Sequence, residues 1–216
     1  MKKIIMFFAA AIMMAFLACS GCSEDKDKPA TVAETNDFDE LYLSINKIIA
    51  EKYPAYALYE VEANFSDDDS LANQGVINPM SMKVVYGFTE GNKTLMATVD
   101  SAFNVNIEII NSPWLEDMYM TPYQPMTLKY AVEILQNELG VHIKAGLPVC
   151  FRHQLWFKEP EPRYFLGTAI SCHTVNVYTA EVDQPLAEPT EEFLKEHGLD
   201  SEAVGKLGKL MAKPVE

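Results

Sequence analysis

The chain has 216 residues and a formal net charge of −14 at pH 7. Such an acidic chain does not attract nucleic acid or an anionic lipid surface through bulk charge, and we therefore expect no nucleic-acid partner. Hydrophobic residues make up 49% of the sequence, which is enough for an ordinary core in one domain or two small ones.

Residues 1–21 have the composition of a signal peptide. Lys2 and Lys3 precede an apolar stretch from Ile4 to Ala18, which is shorter than the roughly 20 residues that a membrane-spanning helix needs. A basic start, a short apolar stretch and small residues at its end are typical of a secretory signal that is cleaved off. The alternative is that the stretch is retained as an N-terminal anchor.

The end of this leader resembles a bacterial lipobox, in which small residues precede a cysteine that is acylated and becomes the N-terminus. Cys22 follows Ser-Gly and Cys19 is the alternative, although neither has Leu at the third position before it. We favour Cys22 because the acidic run Glu24–Asp27 follows it directly, as in surface-exported lipoproteins of some Gram-negative bacteria. The resemblance implies a lipid anchor in the outer membrane, on the cell surface or the periplasmic side. Residues 22–36 are then a polar, disordered tether.

Residues 37–111 are predicted to form a first unit with one helix and an antiparallel sheet. Apolar residues recur at helical spacing from Asp37 to Tyr53, and Pro54 ends the helix. The polar stretch from Ser66 to Ser81, with three aspartates in a row, is predicted to be a long loop. Four segments alternate apolar and polar residues and are predicted as strands: Tyr56–Phe65, Met82–Thr89, Thr94–Asp100 and Val105–Ile110.

Two turns fix the expected register of these strands. A two-residue Gly91-Asn92 turn would pair Phe88 with Leu95, and both residues belong to the inward-facing set. A three-residue loop of residues 101–103 would pair Val99 with Val105, again inward on inward. A slip by one residue would break both agreements.

The order of elements then repeats. A second helix is predicted from Thr127 to Leu139, with Gly140 as its end, followed by a hairpin whose turn is residues 159–162. We therefore predict an α+β fold with two helix-plus-antiparallel-sheet units in tandem and a C-terminal helical stretch. The predicted segments are 1–21 signal, 22–36 tether, 37–111 first unit, 112–126 connector, 127–183 second unit and 184–216 helical tail.

The first unit resembles the PepSY-like family of small secreted modules. The residues that carry the resemblance are Ala50–Pro54 at the helix end, the strand Leu58–Glu62, and Thr98–Val105 near the close of the unit. Two such units in tandem are similar to the β-lactamase inhibitor protein. Both resemblances imply binding or inhibition of a partner without chemistry.

No catalytic motif is present in the sequence. We find no nucleophile elbow, phosphate loop or zinc motif, and the run Asp67–Asp69 lacks the ligand spacing of a calcium loop. We therefore expect a protein that is not an enzyme and that has no cofactor and no metal, with a hydrolase as a less favoured alternative.

Cys150 and Cys172 suggest a disulfide bond. A hairpin centred on Glu161 would place them directly opposite each other, close enough to bridge. The alternative is two reduced thiols with a shifted register.

Two surfaces are candidates for binding. The outward side chains of the first sheet would include Tyr56, Leu58, Glu60 and Glu62, with both glutamates in solvent, and would bind a protein or a peptide. The connector carries Trp114, Tyr119 and Tyr123, which either pack in the seam between the units or form an exposed patch. As an exposed patch they support the alternative function, a glycan-binding accessory of an outer-membrane uptake system.

Overall fold

The computed structural model describes residues 30–115, 117–154, 161–168 and 171–183. The predictions for the leader, Cys22, the start of the tether and the tail 184–216 lie outside these residues. Nine strands and three helices make up the described part, so the α+β class is confirmed at this level, with the sheet as the dominant element.

The strands form one nine-stranded sheet in the order β1-β5-β4-β3-β2-β6-β7-β8-β9. All neighbouring pairs from β5 to β9 are antiparallel. The strands are β1 Ala30–Thr31, β2 Tyr56–Phe65, β3 Ile77–Phe88, β4 Thr94–Val99, β5 Asn104–Ile110, β6 Pro148–Arg152, β7 Arg163–Thr168, β8 Ser171–Asn176 and β9 Val182–Asp183.

The two long helices begin and end where the sequence predicts. Helix α1 is Phe38–Lys52, α2 is a single turn at Asp69–Ala72, and α3 is Leu128–Leu139. The Asp37 carboxylate accepts a hydrogen bond from the Glu40 N–H at the start of α1. Gly140 ends α3 in the left-handed conformation, with φ of 64°.

Helices α1 and α3 pack on one face of the sheet and share its core. Asp39 of α1 joins them, because its carboxylate accepts the Leu128 N–H at 2.8 Å and the Tyr164 hydroxyl at 2.9 Å. Tyr164 of β7 and Phe151 of β6 lie in the same core, with ring centroids 5.1 Å apart. The helices therefore cover strands from both predicted units.

The two predicted units contribute to one continuous sheet. Strand β2 of the first unit pairs with β6 of the second, with Val61 opposite Phe151. The division into tandem units stays a prediction, and the structure shows that any boundary between them runs through paired strands.

Two predictions about the first unit were wrong. The segment Ser66–Ser81 is ordered structure: Asp68 caps α2 by accepting the Ser70 N–H at 2.7 Å, and β3 already begins at Ile77. The β3–β4 loop, residues 89–93, has five residues, and Tyr86 rather than Phe88 faces Leu95. The observed register differs from the predicted one by two residues, so the side chains predicted to face the core still face it. The predicted pairing of Val99 with Val105 is confirmed.

Candidate functional site

The outer face of the sheet, opposite the helices, carries only some of the residues that the sequence predicts. Leu58 pairs with Tyr86, whereas Glu60 pairs with Val85, so Tyr59 is an extra residue in β2. Such a β-bulge shifts the alternation of side chains by one position. The prediction that Tyr56 and Leu58 face outward was therefore wrong: Tyr56 packs against the core and Leu58 is 3% exposed within it.

The bulge is matched by a glycine on the neighbouring strand. The Tyr59 ring lies over Gly87 of β3, and a Cβ atom at position 87 would come within 2.6 Å of that ring. Real Cβ contacts are not this short, so only glycine lets the ring lie there without a shift. Glu60 and Glu62 then follow on the outer face.

Glu60 is the centre of a buried cluster of charged side chains on this face. Glu60 is 1% exposed, which corrects the prediction that it lies in solvent. Arg152 of β6 lies opposite Glu60, with its Nη1 atom 3.7 Å from Glu60 Oε2, and its Nε atom is 3.7 Å from Asp117 Oδ1. Glu62 forms an ion pair with Lys83 of β3. We call Glu60, Glu62, Asp117, Lys83, Arg152 and Cys150 the carboxylate cluster.

Burial and hydrogen bonding shift the pKa values of the two glutamates in this cluster in opposite directions. Burial, followed by hydrogen bonds to Asp117 and Glu62, raises the pKa of Glu60 far above its usual range. Burial also acts to raise the pKa of Glu62, but the hydrogen bond from Glu60 and the charge of Lys83 outweigh it and bring that pKa below its usual value. Glu60 is therefore the favoured site for a proton among the carboxyl groups of this cluster.

Cys150 lies in this cluster, and Cys172 does not pair with it. Cys150 faces Phe165 of β7, whereas Cys172 faces Gly167 from β8, one strand further along the sheet. Adjacent strands are about 4.8 Å apart. Strands β6 and β8 are separated by β7, so Cys150 and Cys172 are farther apart than a disulfide bond can span. Both thiols are free, and the predicted disulfide was wrong because a second hairpin, β7–β8, follows the first. Burial raises the pKa of the Cys150 thiol well above its usual value.

The connector, residues 112–126, runs beside β2 and just after the end of β6, where Asp117 forms an antiparallel bridge with Gln154. It is fixed to the sheet by backbone hydrogen bonds from Met118 N–H to the His153 carbonyl and from Met120 N–H to the Leu58 carbonyl, both 2.8 Å long. Trp114 donates its indole N–H to Asp117 at 2.9 Å, and Lys83 Nζ lies 5.8 Å from the Trp114 ring centroid. Asp117 therefore accepts a hydrogen bond from Trp114 on Oδ2 and lies 3.7 Å from Arg152 Nε on Oδ1.

The same connector exposes three large side chains. Leu115 and Tyr119 are each 71% exposed and Tyr123 is 76% exposed, whereas Met120 and Met126 are buried. Some side chains of the connector are therefore buried and others are exposed, and the choice between the two alternatives stays a prediction. We call Leu115, Tyr119 and Tyr123 the connector patch.

The remainder of the outer face, over β3, β4 and β5, is open. It contains a shallow cavity of about 180 Å³ whose lining is mixed in polarity. The lining residues are Lys83, Met96, Thr98, Asn106, Ile107 and Glu108.

The run of aspartates has a structural role in the described part of the chain. Asp68 caps α2, and Asp69 Oδ1 accepts the Ala145 N–H at 2.7 Å. Hydrogen bonds to Ser70, from its side chain and then its backbone, hold the pKa of Asp68 below its usual value.

Sequence reasoning missed Asp117 and Arg152 as members of the cluster. The parity of β6 places Arg152 on the same face as Cys150, and that signal was available in the sequence. No local pattern indicates that Asp117, in an irregular segment rich in proline, meets Glu60.

Comparison with known proteins gives little further information. No protein-family profile matches the chain, and no curated protein matches it. A candidate lipoprotein from Clostridium difficile 630, solved by crystallography, is similar in structure with a TM-score of 0.43 and 14% sequence identity. The alignment covers 69% of this chain and 97% of that one. Values this low carry no conclusion about function.

Among the helices in the described ranges, none combines the length and the apolar character needed to cross a membrane.

Proposed function

We propose that this chain is a membrane-anchored bacterial lipoprotein whose folded part binds another protein or a peptide without catalysis. The leader and Cys22 support the anchor, and the outer membrane is its proposed site. The connector patch supports the binding role, and it is the observation on which this proposal depends.

The connector patch combines exposure with a fixed backbone. Its segment is held by hydrogen bonds at Met118 and Met120 on either side of Tyr119, and the Tyr42 hydroxyl donates to the Pro122 carbonyl at 2.6 Å beside Tyr123. A fixed backbone lowers the entropy that is lost on binding, and tyrosine supplies a large contact area with few rotatable bonds. An exposed apolar and aromatic group of this kind is typical of a protein-binding surface.

The carboxylate cluster is a poor candidate for catalysis. Glu60 is buried, and Arg152 and Lys83 form ion pairs with Glu60 and Glu62. A substrate would have to displace these partners to reach Glu60. This argument supports a binding protein over a hydrolase.

Glycan binding is the second candidate. Tyr119 and Tyr123 expose enough of their rings to stack on sugars. Trp114 is less suited to this role, because it is half-buried and Lys83 lies against its ring. We therefore place protein or peptide binding first, with inhibition of the partner as one form of it.

The experiment compares two double variants with equal loss of tyrosine. The native chain, immobilised on an affinity column, should retain its partners among the envelope proteins. The chain carrying Tyr119→Ser and Tyr123→Ser should no longer retain these proteins. The control carries Tyr130→Ser and Tyr178→Ser, which remove two other exposed tyrosines, and it should keep them. Equal recovery by both variants would exclude the connector patch as the binding surface. Tyr119-dependent signals on a glycan array, with no protein recovered, would favour the second candidate.

A further inference from the structure

We propose that the carboxylate cluster binds one divalent transition-metal ion, of the Zn²⁺ type, through Glu60, Glu62 and Cys150. The Sγ atom of Cys150 and one carboxylate oxygen from each glutamate lie within 4.8 Å of one another. The three residues come from two paired strands, since Cys150 is directly opposite Glu62 in the β2–β6 register.

The distances are within reach of a metal site. Zn²⁺ binds thiolate at about 2.3 Å and carboxylate oxygen at about 2.0–2.2 Å in a tetrahedral arrangement, which places ligand atoms roughly 3.3–3.7 Å apart. The three ligand atoms therefore need to approach one another by about 1 Å, a movement that glutamate side chains make by rotation. Because one ligand is sulfur, the site suits Zn²⁺ better than Mg²⁺ or Ca²⁺.

Asp117 supplies independent evidence that a cation belongs here. Its side chain is fully buried, and it comes from the connector rather than from the strands. Among the described residues, no N–H group lies within hydrogen-bond distance of Asp117 Oδ1 or Glu60 Oε2, and the Arg152 nitrogen atoms paired with them are 3.7 Å away. A cation bound at Glu60 would contact these buried oxygen atoms more closely than Arg152 does.

The charge count of the cluster fits a divalent ion. Three carboxylates and a thiolate carry four negative charges, and Lys83 and Arg152 carry two positive charges. The remaining two negative charges equal in magnitude the charge of one divalent metal ion. The protons that the thiol and Glu60 carry in the metal-free protein pass to solvent on binding. The Glu62 side chain is 42% exposed and provides the path from solvent to the site.

Co²⁺ is the probe, because a Co²⁺–thiolate bond gives a charge-transfer absorption band. The experiment uses the full chain with Cys19→Ser and Cys22→Ser, since those two cysteines are spaced to bind metal by themselves. We expect one Co²⁺ per chain with a thiolate band, and displacement of Co²⁺ by Zn²⁺. Adding Cys150→Ser should abolish the band, whereas adding Cys172→Ser should leave it unchanged.

A second pair of variants tests the carboxylates. Glu62→Gln should weaken Zn²⁺ binding at least about tenfold, and the matched control Glu108→Gln, on the open part of the same face, should leave it unchanged. The proposal is overturned if the parent chain binds no Co²⁺, if it binds Co²⁺ without a thiolate band, or if the band survives Cys150→Ser. These three results concern folded parent or thiol variants, so they decide the matter even if a glutamate variant fails to fold.

Discussion

The Asp39 carboxylate makes the stability of this fold depend on pH. Asp39 lies in α1 and accepts hydrogen bonds from the Leu128 N–H and the Tyr164 hydroxyl, so that it joins both long helices to β7. Burial raises the pKa of Asp39 from 3.8 to about 6, because the loss of solvent outweighs the two hydrogen bonds.

The sign follows from the proton balance. Between about pH 4 and pH 6 the folded chain holds a proton on Asp39 that the unfolded chain has lost. The contribution of the Asp39 titration to the free energy of unfolding is therefore fully present below about pH 4, and it is lost as the pH rises through 6. A shift of about 2 pKa units corresponds to about 3 kcal/mol in the free energy of unfolding.

The variant Asp39→Asn removes this titration and keeps the hydrogen bonds. Its amide oxygen accepts from Leu128, its NH₂ group donates to the Tyr164 oxygen, and the Tyr164 hydroxyl donates to the Met126 carbonyl, 3.1 Å away. Urea unfolding of both proteins from pH 4 to pH 7 measures the effect. The native chain should lose about 3 kcal/mol relative to the variant over this range.

Asp68→Asn is the control, because Asp68 titrates below this range of pH. Hydrogen bonds at the start of α2 lower the pKa of Asp68, so its gain in stability is complete near pH 4 and the difference between the native chain and this variant should stay nearly constant from pH 4 to pH 7. A difference between the native chain and Asp39→Asn that stays constant from pH 4 to pH 7 would refute the reasoning.

Three further predictions concern the bulge and the anchor. Gly87→Ala should lower the free energy of unfolding by about 1–3 kcal/mol in urea, and the loss should shrink when Tyr59→Ala removes the ring that the new methyl group meets. Leu58→Ala should cost about 2–5 kcal/mol in the same assay; a loss near zero would mean that Leu58 faces outward as the sequence predicts. Labelling with a palmitate analogue should be lost in Cys22→Ala and kept in Cys19→Ala, and the reverse pattern would assign the anchor to Cys19.

The helices could be predicted because their signals are local. Asp37 and Thr127 accept backbone N–H groups within the first turn of the helix that each precedes, and Gly140 ends α3 by its own backbone conformation. Such signals depend on residues three or four positions apart, so tertiary packing does not change them.

The sheet could be predicted only up to its first irregularity. All ten residues of β2 were assigned to a strand, but the extra residue Tyr59 changed the face of every side chain before it. The bulge is possible because the Tyr59 ring fits over Gly87, a residue of β3 some thirty residues away in sequence. The alternation of apolar and polar residues within β2 gives no indication of a contact with a distant residue. Tyr56 and Leu58 were misplaced for this reason alone.

The carboxylate cluster was missed for a different reason. An acidic residue at an outward position is expected to be solvated, but Glu60 is buried and lies beside Asp117 of the connector. Asp117 meets Glu60 because backbone hydrogen bonds at Met118 and Met120 fix the connector to the sheet. Contacts between an irregular segment and a strand leave no periodic signal in the sequence.

The pairing of β2 with β6 has a consequence for how the chain folds during synthesis. Val61 and Phe151 are partners although they lie about 90 residues apart. At ~5–20 residues per second, roughly 5–20 s pass between their emergence from the ribosome. During this interval the apolar strand β2 has an unpaired edge, which is the kind of surface that pairs with other chains and aggregates. The long-range pairing of β2 with β6 therefore slows folding. Until this pairing forms, the exposed edge of β2 raises the risk of aggregation.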